Sequence, residues 1–271
     1  MKDKVVLVTG ASSGMGKATA QLLSANGYNV YAAARRTDQM IDLQQTGIKI
    51  VYMDVTDDLS MKSGVDKIIE AEGSIDILVN NAGFGLMGAI EDVPLSQARQ
   101  QMEVNVFGLA RLTQLVLPFM RQQQFGKIIN ISSTSGKMAT PLSGWYAASK
   151  FALEALSDSL RLEVKPFGID VIIIEPGGIK SEWGDIAMQS IEDVSGHTAY
   201  GGMATKVIEF ARKAQPKNAE PEVIAELILK ALQAAKPKIR YYGGYMAGPI
   251  LLLKKLLSDK QFDNLLMGQM K

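Results

Sequence analysis

Val5-Val6-Leu7-Val8-Thr9-Gly10-Ala11-Ser12-Ser13-Gly14-Met15-Gly16 runs from a strand-like apolar stretch straight into a loop with three glycines. The β-branched, non-alternating start suits a strand buried on both faces. Helical periodicity begins at Gly14. Glycines in such a loop let backbone amides approach a pyrophosphate closely, and the N-terminus of the following helix favours its charge. The stretch therefore predicts an anion site made by Gly10, Ser12, Ser13, Gly14, Met15 and Gly16. A glycine-rich turn without a ligand is the plain alternative, and a lone motif does not decide between them.

Working outward, the same alternation continues. Strand-like runs are expected at Val5–Thr9, Asn29–Ala34, Lys49–Met53, Ile75–Val79, Lys127–Ser132, Asp170–Glu175 and Ile239–Tyr242. Helical patterns lie at Gly14–Asn26, Met61–Glu72, Ser96–Gln122, Tyr146–Lys165 and Pro221–Ala235. This order predicts an α/β fold: a doubly wound parallel sheet with helices on both faces, in a single domain over residues 1–271. Residues 179–217 break the alternation, and are read either as a substrate lid or as a long surface excursion.

Composition narrows the function. The 271 residues carry a net charge of +1 and no basic stripe, which argues against nucleic acid as a partner. With no Cys, disulfides and thiolate zinc sites are excluded, and the single histidine, His197, has no partner at ligand spacing. No metal is expected. The strand at Val5 leaves no space for a leader before it, and the apolar run Gly248–Leu253 is far short of a membrane span, so a cytoplasmic protein is the expectation.

Further motifs follow in register. Asn80-Asn81-Ala82-Gly83 comes after the fourth strand, Asn105 lies in a helix, and Ser133 follows the fifth strand. Tyr146-Ala147-Ala148-Ser149-Lys150 opens the next helix, and Pro176-Gly177 ends the sixth strand. With the TGxxxGxG spacing of the first loop, this set resembles the classical short-chain dehydrogenase/reductase family along most of the chain. In style it is closest to the hydroxysteroid and retinol dehydrogenase branch. The resemblance implies a Rossmann-type sheet, a nicotinamide cofactor and an alcohol or carbonyl substrate.

The second strand ends in Arg35-Arg36, with no acid between Tyr28 and Thr37. A carboxylate there would bind the ribose 2′-hydroxyl of NAD, whereas a guanidinium suits the 2′-phosphate, so NADP(H) is the expected cofactor. Two solvated arginines are the alternative. The resemblance further implies that Asp54 and Val55 meet the adenine, that Asn81, Ala82 and Gly83 pack beside the adenosine ribose, and that Pro176, Gly177, Ile179 and Ser181 lie along the nicotinamide.

Tyr146 and Lys150 share one helix face, where the ammonium is expected to lower the phenol from its ordinary pKa of about 10. An amphipathic Tyr beside a snorkelling Lys is the alternative. By resemblance Tyr146 is the acid/base, Lys150 also holds the nicotinamide ribose, and Ser133 steadies the substrate oxygen, with Ser132 the next candidate. Asn105 resembles the helix asparagine that holds a water linking Lys150 to solvent. Otherwise it satisfies a buried carbonyl.

Phe84–Met87, Lys137–Trp145 and Gly178–Met188 are rich in apolar side chains, which predicts a hydrophobic ketone or secondary alcohol. A homodimer or homotetramer is expected through the helices at Ser96 and Tyr146. The segment Ile250–Leu257 is read as a cover for a subunit core, a wall of the cleft or a membrane-surface contact. Two rival functions are an NADP-binding regulator without catalysis and a nucleotide-sugar epimerase or dehydratase. Intact Ser133, Tyr146, Lys150 and Asn105 oppose the first, and the lack of a large C-terminal substrate domain opposes the second.

Overall fold

A computed structural model describes residues 3–268. Residues 1–2 and 269–271 of the expected domain lie outside the described residues. Seven strands form one parallel sheet: β1 (Val5–Thr9), β2 (Asn29–Ala34), β3 (Lys49–Tyr52), β4 (Ile77–Asn80), β5 (Gly126–Ile131), β6 (Ile169–Pro176) and β7 (Arg240–Gly243). Their order is β3-β2-β1-β4-β5-β6-β7. The order reverses between β1 and β4, so the loops leaving those strands diverge and open a crevice at the carboxyl edge.

Alternate residues of the strands feed two cores. Val6, Val8, Ile77, Val79 and Ile129 pack with Leu23 of α1 (Gly14–Ala25) and with Ile224 and Ile228 of α9 (Glu222–Gln233). Val5, Leu7, Leu78 and Ile128 pack with Val65 and Ile68 of α3 (Asp58–Glu72) and with Leu112 and Val116 of α5 (Leu109–Gln122). Each such side chain is worth about 1.5–3 kcal/mol when fully buried, and their two-faced burial explains the absence of polar alternation. Helix α3 begins earlier than expected because the Asp57 carboxylate accepts hydrogen bonds from the Leu59 and Ser60 amides.

The structure departs from expectation elsewhere. The helix expected over Ser96–Gln122 is α4 (Leu95–Met102) and α5 joined by a π turn, Glu103–Gly108. Gly108 lies so close to the Val55 carbonyl that no Cβ would fit. Short helix α2 (Ile41–Gln45) has too few residues to show a period. The irregular stretch after β6 contains α7 (Glu182–Ser195) and α8 (Gly201–Ala214), which share a small core with Ala89 and Leu142. After β7 come α10 (Ala247–Leu256) and α11 (Asp259–Gly268), the latter anchored by the buried Phe262. No helix among the described residues is long and apolar enough to cross a membrane.

Behind β5, a charged cluster ties β6 and β7 to α6 (Gly144–Val164). The buried carboxylates of Glu154 and Glu175 meet Lys137 at 2.6 and 3.8 Å, and Arg240 reaches Glu154, Asp158 and Glu175 at 2.9, 2.6 and 3.5 Å. Burial first, and the Glu154 charge second, push Glu175 up to about 7 from an ordinary 4.5. The folded state therefore holds this proton more tightly than the unfolded chain. The resulting stabilisation is full below about pH 4.5 and is lost by about pH 7. Glu175→Gln cannot titrate, so relative to the native chain it should gain about 1–3 kcal/mol between pH 5 and 8 in urea unfolding. A difference that does not change with pH would contradict this.

Candidate active site

The crevice floor is built where the loop after β1 crosses the loop after β4. Thr9 Oγ1 accepts hydrogen bonds from the Asn81 and Ala82 amides at 3.0 Å each, and Asn81 Nδ2 donates to the Thr9 and Gly10 carbonyls. The Asn81 side chain is thus engaged with the first loop. Gly10 has φ +65°, and a Cβ there would stand 2.9 Å from Ala82 Cα. A Cβ on Gly16 would overlap the Gly10 carbonyl and the Asn81 amide. These two glycines are required by chain packing. Gly14, at φ +52°, has only Ser181 Cβ nearby at 3.5 Å, so it is the glycine left open toward the crevice.

Ser13 caps α1 in extended conformation with no side-chain capping bond to the helix, which leaves the first-turn amides of α1 available to an anion. Arg36 Nη2 stands 3.4 Å from both the Ser12 and Ser13 hydroxyls, and 3.7 Å from the Glu182 carboxylate. Arg35 turns instead to Asp54, at 3.9 Å. The other Asp54 oxygen accepts from the Thr56 amide and hydroxyl. Val55 is partly buried against the second core. Open amides, two hydroxyls and a guanidinium together fit a phosphorylated dinucleotide.

Across the crevice, the Phe84 amide donates to Asn105 Oδ1 at 3.1 Å, and Asn105 Nδ2 donates to the Phe84 carbonyl and to Ser149 Oγ at 3.0 Å each. Asn105 sits inside the π turn, which turns its side chain toward Phe84 and α6. Gly83 lies beside both Asn105 and the Lys150 ammonium. Lys150 Nζ donates to the Ile131 carbonyl at 2.9 Å and stands 5.8 Å from the Tyr146 ring centre.

The structure separates the two serine candidates. Ser133 Oγ accepts from the Ser135 amide and is near enough to the Tyr146 phenol to favour its anion. Ser132 Oγ is buried without a partner, beside Gly136 and Glu154. Tyr146 is 7% exposed, and burial pushes its phenol up to about 12, with the Ser133 contact acting in the opposite sense. The phenol is therefore raised where a lowered one was expected: burial dominates, and Lys150 is not among the groups that shift it. Burial also brings Lys150 down to about 8, although Glu154 acts against it.

Pro176 closes β6, and a Cβ on Gly177 would overlap the Tyr245 carbonyl. The Ile179 side chain packs against the first core, and its backbone bridges to Ala219. Ser181 caps α7 close to Gly14. His197 is exposed in the turn between α7 and α8. Among the expected wall residues, Leu142, Met87 and Met188 help to bury the α7–α8 core. Sequence reasoning missed Thr9, whose place in the Thr-Gly pair was a usable signal. It also missed Glu182 beside Arg36, for which no signal existed.

The family model described as short chain dehydrogenase matches residues 4–190. The chain is a short-chain dehydrogenase/reductase. It is 36% identical to a 3-ketodihydrosphingosine reductase of Bacteroides thetaiotaomicron, over 89% of this chain and 87% of the relative. It is 33% identical to an NADPH-dependent 3-dehydrocapnine reductase of Ornithobacterium rhinotracheale, over 99% and 98%. A solved short-chain dehydrogenase from Streptomyces avermitilis superposes with a TM-score of 0.81 at 34% identity, covering 93% of this chain and 92% of that one. As a member of this family, the protein is an oxidoreductase that binds a nicotinamide cofactor and acts on a small-molecule alcohol or carbonyl group.

The three glycines of this dehydrogenase therefore have different reasons to exist. Gly16→Ala should lose stability by about 1–3 kcal/mol, because backbone must move to admit the methyl group. Gly14→Ala should lose only about 1 kcal/mol, from backbone strain, while weakening cofactor binding. Urea midpoints and cofactor titrations of both variants check this, and equal destabilisation would contradict it.

Proposed function

We propose that this enzyme transfers hydride between NADP(H) and a hydrophobic ketone or its secondary alcohol. The observation that carries the cofactor choice is the Arg36 guanidinium standing over the Ser12 and Ser13 hydroxyls at the open N-terminus of α1. A 2′-phosphate bound there would replace Glu182 as the partner of Arg36. Bound in the crevice, the nicotinamide would give or accept the hydride.

The chain's own groups then manage the oxygen. Tyr146 delivers or removes the proton, and Ser133 holds the substrate oxygen beside the phenol. Lys150, fixed by the Ile131 carbonyl, keeps positive charge near the phenol and holds the nicotinamide ribose. Asn105 fixes α6 against the Phe84 segment, so its side chain acts as a brace. Ala82, Gly83, Asp54 and Val55 line the adenosine end, and Pro176, Gly177, Ile179 backbone and Ser181 the nicotinamide end. Residues 179–217 would act as the lid of the cleft, with α7 and α8 packed on Ala89 and Leu142.

The names of the two relatives support a ketone on a long apolar chain, and one of them supports NADPH. A chain-like substrate accounts for those names better than the polycyclic steroid of the branch the sequence resembles. Ala148, Phe151, Ala155 and Leu162 form an exposed apolar stripe on α6, which supports self-association through that helix.

Titration of tryptophan fluorescence should show NADPH binding at least tenfold tighter than NADH, and Arg36→Asp should abolish or reverse the gap. Equal affinities in the native chain would contradict the cofactor assignment. Tyr146→Phe should keep NADPH binding while turnover falls by about 10²-fold or more. Turnover near the native rate would reject Tyr146 as the acid/base.

A further inference from the structure

The Tyr146 ring is covered by Trp183, with ring centres 5.1 Å apart and planes tilted by 51°. The indole rests directly on Gly85, where a Cβ would overlap it. Its seat is stiff. Helix α7 is fastened to the segment beneath by Ser190 Oγ, which accepts from the Met87 amide at 3.1 Å and donates to the Met87 carbonyl at 2.8 Å. Ser195 Oγ accepts from the Ala89 amide at 2.9 Å, and Ile191 packs with Ala89 and Leu142 in the core shared with α8. Such packing does not deform continuously, so the indole acts as a wall.

We propose that Trp183 is a specificity-determining residue that admits a ketone only with its slimmer arm toward α7, and thereby fixes which enantiomer of the alcohol is made. This rests on the reading of Tyr146 as proton donor to a ketone. The carbonyl oxygen must reach the Tyr146 hydroxyl and Ser133, and the indole covers one side of that phenol. The arm on that side has to be small, while the other arm extends away. Hydride arrives from the fixed direction of the cofactor crevice. Exchanging the two arms would present the opposite face of the carbonyl, so the steric choice becomes a stereochemical one. Discrimination of this kind between arms that differ by a few methylenes is worth about 10-fold or more.

The test uses 2-decanone, with one methyl and one octyl arm, and 5-nonanone, whose arms are both butyl. With NADPH, the native enzyme should make one enantiomer of 2-decanol in at least about tenfold excess and should turn over 5-nonanone poorly. Trp183→Ala should cut that excess at least fivefold and raise kcat/KM for 5-nonanone about tenfold, while Trp183→Phe keeps the native preference. A second readout needs no turnover. In a Trp145→Phe background, 2-decanone added with NADP⁺ should lower acrylamide quenching of Trp183 at least twofold. An unchanged enantiomer ratio in Trp183→Ala, or unchanged quenching, with NADPH-dependent turnover intact, would overturn this proposal alone. Absence of NADPH-dependent turnover of any ketone by the native enzyme would overturn the underlying reading and this one with it.

Discussion

The contact between the first glycine loop and the Asn81–Ala82 segment is the constraint on which the site depends. Two glycines without room for a Cβ and four hydrogen bonds between Thr9, Gly10, Asn81 and Ala82 lock the loops after β1 and β4 together. From there a continuous path of polar contacts runs across the crevice. The chain after Ala82 reaches Phe84, whose backbone is clasped by Asn105, and Asn105 in turn holds Ser149 on the helix that carries Tyr146 and Lys150. The first glycine loop and the helix that carries Tyr146 and Lys150 are therefore parts of one braced unit. Preorganisation of this kind is what holds reacting groups within the tolerance that catalysis needs.

Burial sets the electrostatics of that unit. A lone ammonium beside a phenol would lower the phenol, yet Tyr146 lies well above its usual range because its surroundings exclude water. The same exclusion brings Lys150 down toward neutrality. At neutral pH the phenol therefore keeps its proton, and Lys150, at about 8, still carries its charge for most of the time. Binding a phosphorylated cofactor and substrate changes the surroundings of both groups, and the balance of proton donation and removal follows from that change.

Much of this was legible in the sequence because strong local signals carried it. Two-sided strands read as uninterrupted Val and Ile runs, and the motif residues fell at strand ends in register, so the doubly wound sheet and the grouping of Ser133, Tyr146 and Lys150 followed. What escaped depends on long-range contact. The π turn at Glu103–Gly108 ends on Gly108, which lies against Val55, far away in the chain. Glu182 meets Arg36 across the crevice, and Ile179 turns its side chain into the core, with no periodicity to announce either. The rise of the Tyr146 phenol comes from burial, which spacing within one helix does not reveal.

The most direct measurement is a crystal structure of the enzyme with NADP⁺ and a long-chain secondary alcohol. The alcohol oxygen should lie within hydrogen-bond distance, about 2.6–3.2 Å, of both Tyr146 Oη and Ser133 Oγ, with the 2′-phosphate on Arg36 and the hydroxyls of Ser12 and Ser13. An oxygen bound away from Tyr146, or a 2′-phosphate projecting into solvent away from Arg36, would contradict the account.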